Sequence, residues 1–379
     1  MVTSPVPARL PTLTGARFLA AFAVFFSHAV VTGYLGPEAV ADLLPFAFSA
    51  GWAGVEFFFI LSGFVLTWSA RAEDTKARFV RRRLAKVFPL HVVTWAAAAG
   101  LALWAGQALT AKQLVPSLFL VHTWQPDLET IRAVNVPSWS LGVELLFYLA
   151  FPWIKPLVDR IPARRLWAVA TGLAAVTVAL PAIALGLVPG EPKIPGLEMS
   201  LAQNWFLVSL PPVRLLDFVL GIVLARIVLS GRWIRLGVLP ILGLVAAGFA
   251  AEVLLFPTVW GLTAPLVVPL ALLIAASAAA DVRGAASPLR TRPLVWLGDI
   301  SFALYLVHYP ILEFSRGVLF PEGNNTTVAA VVTLGGLLAV SIGVAWLLHV
   351  AVEKPGMRLL AAPRARTPVV ESKPGLETV

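Results

Sequence analysis

Ten runs of about twenty mostly apolar residues, parted by short basic or Pro/Gly-rich segments, constrain this chain more than any other feature. A run of that length crosses the roughly 30 Å hydrocarbon core of a bilayer as an α-helix. In hydrocarbon, helices and closed barrels alone satisfy their own backbone hydrogen bonds. The runs therefore predict an all-α integral membrane protein, a bundle of about ten transmembrane helices. Their approximate bounds are 14–33, 49–70, 84–106, 137–158, 164–187, 205–229, 234–255, 259–280, 294–319 and 326–352. Thr14 is the expected N-cap of the first span. That span does not read as a cleaved signal, because Arg17 opens it and further spans follow. The connection Gln107–Val136 holds an extra apolar piece, Leu114–Val121, expected to be interfacial or re-entrant.

The charges orient this layout. With both termini cytoplasmic, about 23 of the 29 Lys and Arg residues fall on the inner side, as the positive-inside rule requires. The net charge of +9 thus reads as a topology anchor. No basic fold motif accompanies it, so nucleic acid is not expected as a partner. The chain has no cysteine, which excludes disulfides, thiolate metal sites and a cysteine acyl-enzyme. Arg (22) outnumbers Lys (7) and Ala is abundant, which points to a bacterium with a GC-rich genome. The expected location is the bacterial plasma membrane, with the lipid bilayer as solvent. Residues 1–13 read as a cytoplasmic segment, 14–358 as one membrane domain, and 359–379 as a disordered cytoplasmic tail.

Ionisable residues inside spans are costly and usually mark function. Arg17 and His28 lie eleven residues apart, close to three helical turns, and share one face at a separation of roughly 16 Å. Counting from the span ends puts His28, Glu144 and His308 at one depth, roughly 20 Å from the cytoplasmic side. Ser301, Tyr305 and His308 follow i, i+4, i+7 on one face. Arg214 and Asp217 are spaced for an ion pair in the sixth span, and Glu56 sits in the outer half of the second. Packed residues that merely tie helices together are the plain alternative for each one. His91, His122 and His349 are expected at interfacial or solvated positions. From the residues alone, acyl transfer competes with a transporter or lipid-linked glycan flippase, although no inverted repeat is visible. A haem protein with His28 and His308 as axial ligands is the third reading.

Six segments in order resemble the membrane acyltransferase-3 family, from about Leu10 to Arg358. Arg17 and His28, with ten residues between them, match its first-span hallmark. The segment Gly54–Gly63 with the basic stretch Arg71–Lys86 behind it is similar to the family's second span and loop. The stretch Pro137–Tyr148 aligns Glu144 with the family glutamate, and Pro212–Gly221 aligns Arg214 and Asp217. Ser301–Pro310 matches Ser-x-x-x-Tyr-x-x-His-x-Pro, and Val352–Pro355 closes the last span. Glu56 stands where many members carry Asp, which keeps the charge.

The resemblance implies an O-acyltransferase with acyl-CoA, most often acetyl-CoA, as cosubstrate and no resident cofactor or metal. Arg17, Arg81, Arg82 and Arg83 would hold the CoA phosphates. His28 would act as general base, or as a nucleophile that carries the acyl group. Glu144 would orient it, and Tyr305, His308 or Ser301 would donate to the oxyanion. Arg214, Asp217 and Glu56 would shape the acceptor cavity or serve structure. The acceptor would be a hydroxyl of a surface glycan, a cell-wall or lipid-linked sugar, or a glycosylated natural product such as a macrolide. Some members carry an added extracytoplasmic hydrolase-like domain that this sequence does not show. The chain would then acylate the acceptor itself or hand the group to a separate extracytoplasmic transferase.

Overall fold

A computed structural model describes residues 7, 9–71, 73–195, 197–234, 236–262, 264–320 and 326–361. Most of the expected segment 1–13 begins outside them, and so does the expected tail, apart from residues 359–361, which finish the last helix. The first helices are α1 (Pro11–Val31), α2 (Pro37–Trp68), α3 (Lys76–Trp104), α4 (Ala111–Leu118), α5 (Leu128–Ile131), α6 (Trp139–Asp159), α7 (Leu166–Leu187) and α8 (Leu201–Val208). Then come α9 (Pro211–Leu229), α10 (Val238–Leu255), α11 (Thr258–Gly261), α12 (Val267–Val282), α13 (Arg292–Asp299), α14 (Ser301–Leu319), α15 (Thr327–Leu348) and α16 (Lys354–Ala361). Among the described residues there is no strand, only one isolated bridge between Lys193 and Ser200.

Each expected span contains a helix, but they are not equal. Seven helices among the described residues are long and apolar enough to cross a membrane: those at α1, α2, α3, α6, α7, α10 and α15. An eighth joins them if α13 and α14, bent by 68° at their junction, count as one. The other two expected spans depart from the simple pattern for visible reasons. Helix α9 carries Arg214, Asp217 and Arg226, and α12 has 16 residues. The chain is a multi-pass helical membrane protein.

Local chemistry explains the helix starts. Pro11, Pro37 and Pro211 each open a helix, where the missing N–H costs nothing and φ is preset. This overturns Thr14 as N-cap: α1 is already running at Thr14, whose hydroxyl donates back to the Leu10 carbonyl at 3.0 Å. Thr75 does cap α3, accepting from the Arg78 amide at 3.2 Å.

Small residues set the packing. A Cβ built on Gly63 would fall 1.9 Å from the Phe218 carbonyl oxygen, and one on Gly221 would fall 1.9 Å from that of Ile60. The backbones of α2 and α9 thus touch, as small residues permit in membrane helices. Gly15 against Leu289 and Gly298 against Thr14 repeat the arrangement around α1. At the periphery, α10 and α15 expose Leu239, Leu254, Val328 and Val332.

Two histidines expected at wet positions are buried instead. His91 is held where its Nε2–H reaches the carbonyls of Ser117 and Leu118, at 3.2 Å each, and Trp95 donates to Ser117 Oγ at 2.9 Å. These bonds pin α4 to α3, and His122 is covered by the same connection. The apolar piece expected at Leu114–Val121 is therefore folded back as α4. The third, His349, pairs with Glu353 at 2.8 Å.

Candidate active site

Two chambers lie inside the bundle. The first, of about 140 Å³, is lined by Arg17 from α1, Ser62 from α2, Arg83 and Lys86 from α3, Glu144 and Tyr148 from α6, and Ser301 and Tyr305 from α14. Three cations face one carboxylate, so the chamber carries a net positive charge. The Tyr148 hydroxyl, one turn beyond Glu144, donates to its Oε2 at 2.7 Å. The Arg83 guanidinium also lies over the Phe79 ring, 5.3 Å from its centroid.

The second chamber, of about 280 Å³, is aromatic. Phe48, Trp52, Trp139, Tyr305 and Tyr309 supply its rings, and Ser27, His28, Arg132, Asn204 and Ser209 its polar groups. Trp52 and Trp139 meet at 5.8 Å between centroids. Val55 and Tyr305 line both chambers.

His28 and His308 form the polar junction of α1 and α14. His28 Nδ1 lies 2.8 Å from His308 Nε2, and His308 Nδ1 lies 3.0 Å from the Leu304 carbonyl. A carbonyl only accepts, so His308 Nδ1 carries a proton. In a neutral ring His308 Nε2 is then an acceptor, and His28 Nδ1–H donates to it. The network thereby assigns the tautomers and leaves His28 Nε2 with a free lone pair. The rings stack at 5.1 Å, and Tyr309 meets His28 edge-on at 5.0 Å. The 2.8 Å separation is a hydrogen bond, with no room for an iron between the nitrogens. His308 is fully buried and lines neither chamber, so its hydrogen-bonded link to the aromatic chamber is the bond to His28.

The remaining candidates divide between site and scaffold. Glu144 lies in the cationic chamber with Tyr148 as its partner, while the partner of His28 is His308. Ser140 donates to the Pro137 carbonyl at 3.0 Å, which leaves the Tyr305 hydroxyl to donate to Ser140 Oγ at 2.8 Å. Ser301 donates to the Gly298 carbonyl at 2.8 Å, at the bend between α13 and α14. Of the three consecutive arginines, Arg83 alone lines the chamber; Arg82 pairs with Asp74, and Arg81 sits half-buried beside them.

Arg214 pairs with Asp217 at 3.0 Å and also donates to the Leu207 carbonyl. The Leu207 bond ties α9 to α8, Glu56 of α2 shares a narrow crevice with Arg214, and Glu56, Arg214 and Asp217 are buried and line neither chamber.

Sequence reasoning missed Lys86, which counted there only as an inner-side anchor. Its position three residues after Arg83 puts both on one face of α3 and was the available signal. Tyr148, one turn from Glu144, was legible on the same ground. Arg132, Asn204 and Tyr309 come from connections and a helix face whose convergence no local pattern announces.

The chain matches the family profile described as an acyltransferase domain, that of the acyltransferase-3 family, over residues 10–350. The acyltransferase MdmB of Streptomyces mycarofaciens is 40% identical over 392 aligned positions, which cover 98% of this chain and 99% of the relative. The exopolysaccharide production protein ExoZ of Rhizobium meliloti (strain 1021) is 28% identical over 330 positions, covering 82% and 91%. Nodulation protein 10 of Rhizobium leguminosarum bv. viciae is 32% identical over 166 positions, covering 38% and 44%. No solved structure matches the chain. With a profile match over nearly all of its helical bundle and an acyltransferase relative aligned end to end, the chain belongs to the acyltransferase-3 family and is a membrane O-acyltransferase.

Proposed function

We propose that the protein transfers an acyl group, most simply acetyl, from acyl-CoA to a hydroxyl of a carbohydrate or glycosylated small molecule. The observation that carries this reading is the meeting of a cationic chamber and an aromatic chamber at Val55 and Tyr305. CoA carries several phosphates, and Arg17, Arg83 and Lys86 supply the matching charge. The aromatic walls Trp52, Trp139 and Tyr309 suit the apolar faces of a sugar ring. The topology that goes with this reading has ten crossings and both termini in the cytosol of a bacterial cell. The cationic chamber then receives CoA from the cytosolic side, and the acceptor enters from the opposite one.

In this mechanism the acceptor oxygen attacks the thioester carbonyl while His28 Nε2 takes its proton. His308 Nε2, accepting from His28 Nδ1–H, stabilises the imidazolium that forms. Collapse of the tetrahedral intermediate breaks the C–S bond, and the proton passes from His28 to the CoA thiolate. Tyr305, the polar residue that lines both chambers, stands where an oxyanion donor is needed and has to release Ser140 to act. The acyl group passes directly from CoA to the acceptor, without a separate extracytoplasmic transferase.

The test is purified protein in nanodiscs with labelled acetyl-CoA, and octyl glucoside and a glycosylated macrolide as acceptors. Because the chain has no cysteine, released CoA can be read with a thiol reagent without background. Acceptor-dependent CoA release that disappears in His28→Ala is expected. Turnover near the wild-type rate in that variant removes His28 from the mechanism, and substrate movement without CoA release favours a transporter.

A further inference from the structure

Val55 on α2 and Tyr305 on α14 are the residues common to the two chambers. By the most direct route, the passage from the cationic chamber to a nucleophile beside His28 crosses the boundary that these two residues share. Neither side of the passage is free to retreat. The Tyr305 ring packs edge-on against Phe58 and beside His308, each at 6.0 Å between centroids, and this packing holds the ring even when its hydroxyl leaves Ser140. On α2, the turn that leads into Val55 is held against α1. A Cβ on Gly54 would fall 2.6 Å from the Ala20 carbonyl oxygen, and one on Gly51 would fall 2.5 Å from Ser27 Oγ. Val55 itself is buried, and its β-branched side chain is stiff. Close-packed walls of this kind respond to single methyl groups.

We propose that Val55, set against the pinned Tyr305, is a specificity-determining residue that gauges the width of the acyl group, passing linear chains and holding back branched ones. The inference rests on the acyl-CoA reading and adds to it which acyl groups are accepted. A blind pocket sorts by chain length, whereas a passage between two side chains sorts by cross-section. Butyryl and isobutyryl contain the same atoms and differ in branching next to the carbonyl, so the pair isolates width. Val55 takes no part in bond making. The thioester C–S bond breaks, the C–O bond forms and the hydroxyl proton ends on CoA whatever residue stands there.

The experiment presents acetyl-CoA, butyryl-CoA with a uniformly 13C-labelled acyl group and unlabelled isobutyryl-CoA together to the full-length protein in nanodiscs, with the same two acceptors, and counts acylated products by mass spectrometry, in which the label separates the two isomers. The wild type is expected to favour butyryl over isobutyryl product by about tenfold, the scale on which an apolar wall resolves one methyl group. Val55→Ala is expected to remove most of that preference, and Val55→Ile to increase it. The donors compete in one sample, so the product ratio does not depend on how much of a variant folds. If Val55→Ala gives no folded protein, Val55→Ile decides. A butyryl-to-isobutyryl ratio unchanged by these variants overturns the gauge and leaves the acyl-CoA reading intact. A wild type that makes acetyl product alone is judged by Val55→Ala, which has to gain a longer acyl product for the gauge to stand. Absence of transfer from every donor by the wild type overturns both.

Discussion

His28 and His308 stand 280 residues apart in the chain and 2.8 Å apart in the fold, joined through Nδ1 of one ring and Nε2 of the other. The second bond of His308, to the Leu304 carbonyl, fixes the direction of the first. His308 is thereby a positioning residue: it decides which nitrogen of His28 keeps a free lone pair, without itself lining either chamber.

His308→Ala is therefore expected to lower kcat by about 10²-fold, the lower end of what a well-placed acid–base group contributes. The KM values for donor and acceptor should stay within a few fold. His308→Gln, whose amide oxygen still accepts from His28 Nδ1–H, should recover part of the loss. Steady-state kinetics decide the matter, and equal loss of kcat in both variants would deny the tautomer assignment.

The cationic chamber predicts a different pattern for Arg17→Ala and Lys86→Ala. Each removes one charge-assisted contact, worth roughly 1.5–3 kcal/mol, and should raise the acyl-CoA KM by about tenfold or more. The acceptor KM should hardly move. Arg82, engaged by Asp74 outside the chamber, serves as the contrast: Arg82→Ala should cost thermal stability rather than donor affinity. A larger donor effect at Arg82 than at Lys86 would contradict the geometry.

Helix packing supplies a third test. Gly63→Ala and Gly221→Ala each place a methyl group 1.9 Å from a carbonyl oxygen of the facing helix, so α2 and α9 have to part. Overpacking of this sort costs typically 1–3 kcal/mol and more where backbone is the obstacle. Gly100→Ala on α3 meets nothing within 4 Å and should be neutral or slightly stabilising. Melting curves of the detergent-solubilised variants separate the two classes.

The α4 connection should make stability sensitive to acid. Burial, with the nearby His91 adding to it, pushes the His122 imidazole down from 6.5 to about 4. Above pH 6.5 neither the folded nor the unfolded protein protonates this ring, and its full stability is present. As pH falls from 6.5 towards 4 the unfolded chain gains the proton first, and up to about 3 kcal/mol is lost. The melting temperature should fall over that window, and His122→Gln should fall less steeply when each protein is compared with itself at pH 7.5.

What the sequence revealed follows the range of the physics involved. Apolar length and charge alternation are local, and they located every long helix. Helical spacing is also local, and it put Arg17 with His28 and Ser301 with Tyr305 and His308 on shared faces. Depth along separate spans is a one-dimensional measure. It levelled His28 with His308, which their contact bears out, but depth carries no information on facing, and α6 turns Glu144 into the cationic chamber. Lys86 was hidden because a cation near a span end has an adequate explanation in topology. His91 and His122 were misjudged because nothing in a connection's composition tells that it folds back as α4.

The direct backbone contact of α2 and α9 at Gly63 and Gly221 also bears on how catalysts of this architecture can diversify. A frame in which even one methyl group is excluded cannot be re-spaced to suit a new acceptor. Change has to enter through walls that hang from the frame, and the aromatic chamber has such walls in Leu128 and Arg132 on one connection and Ile194 and Leu197 on another. On the proposed reading, exchanging those two connections as modules between relatives should transplant acceptor choice while His28 and His308 stay untouched.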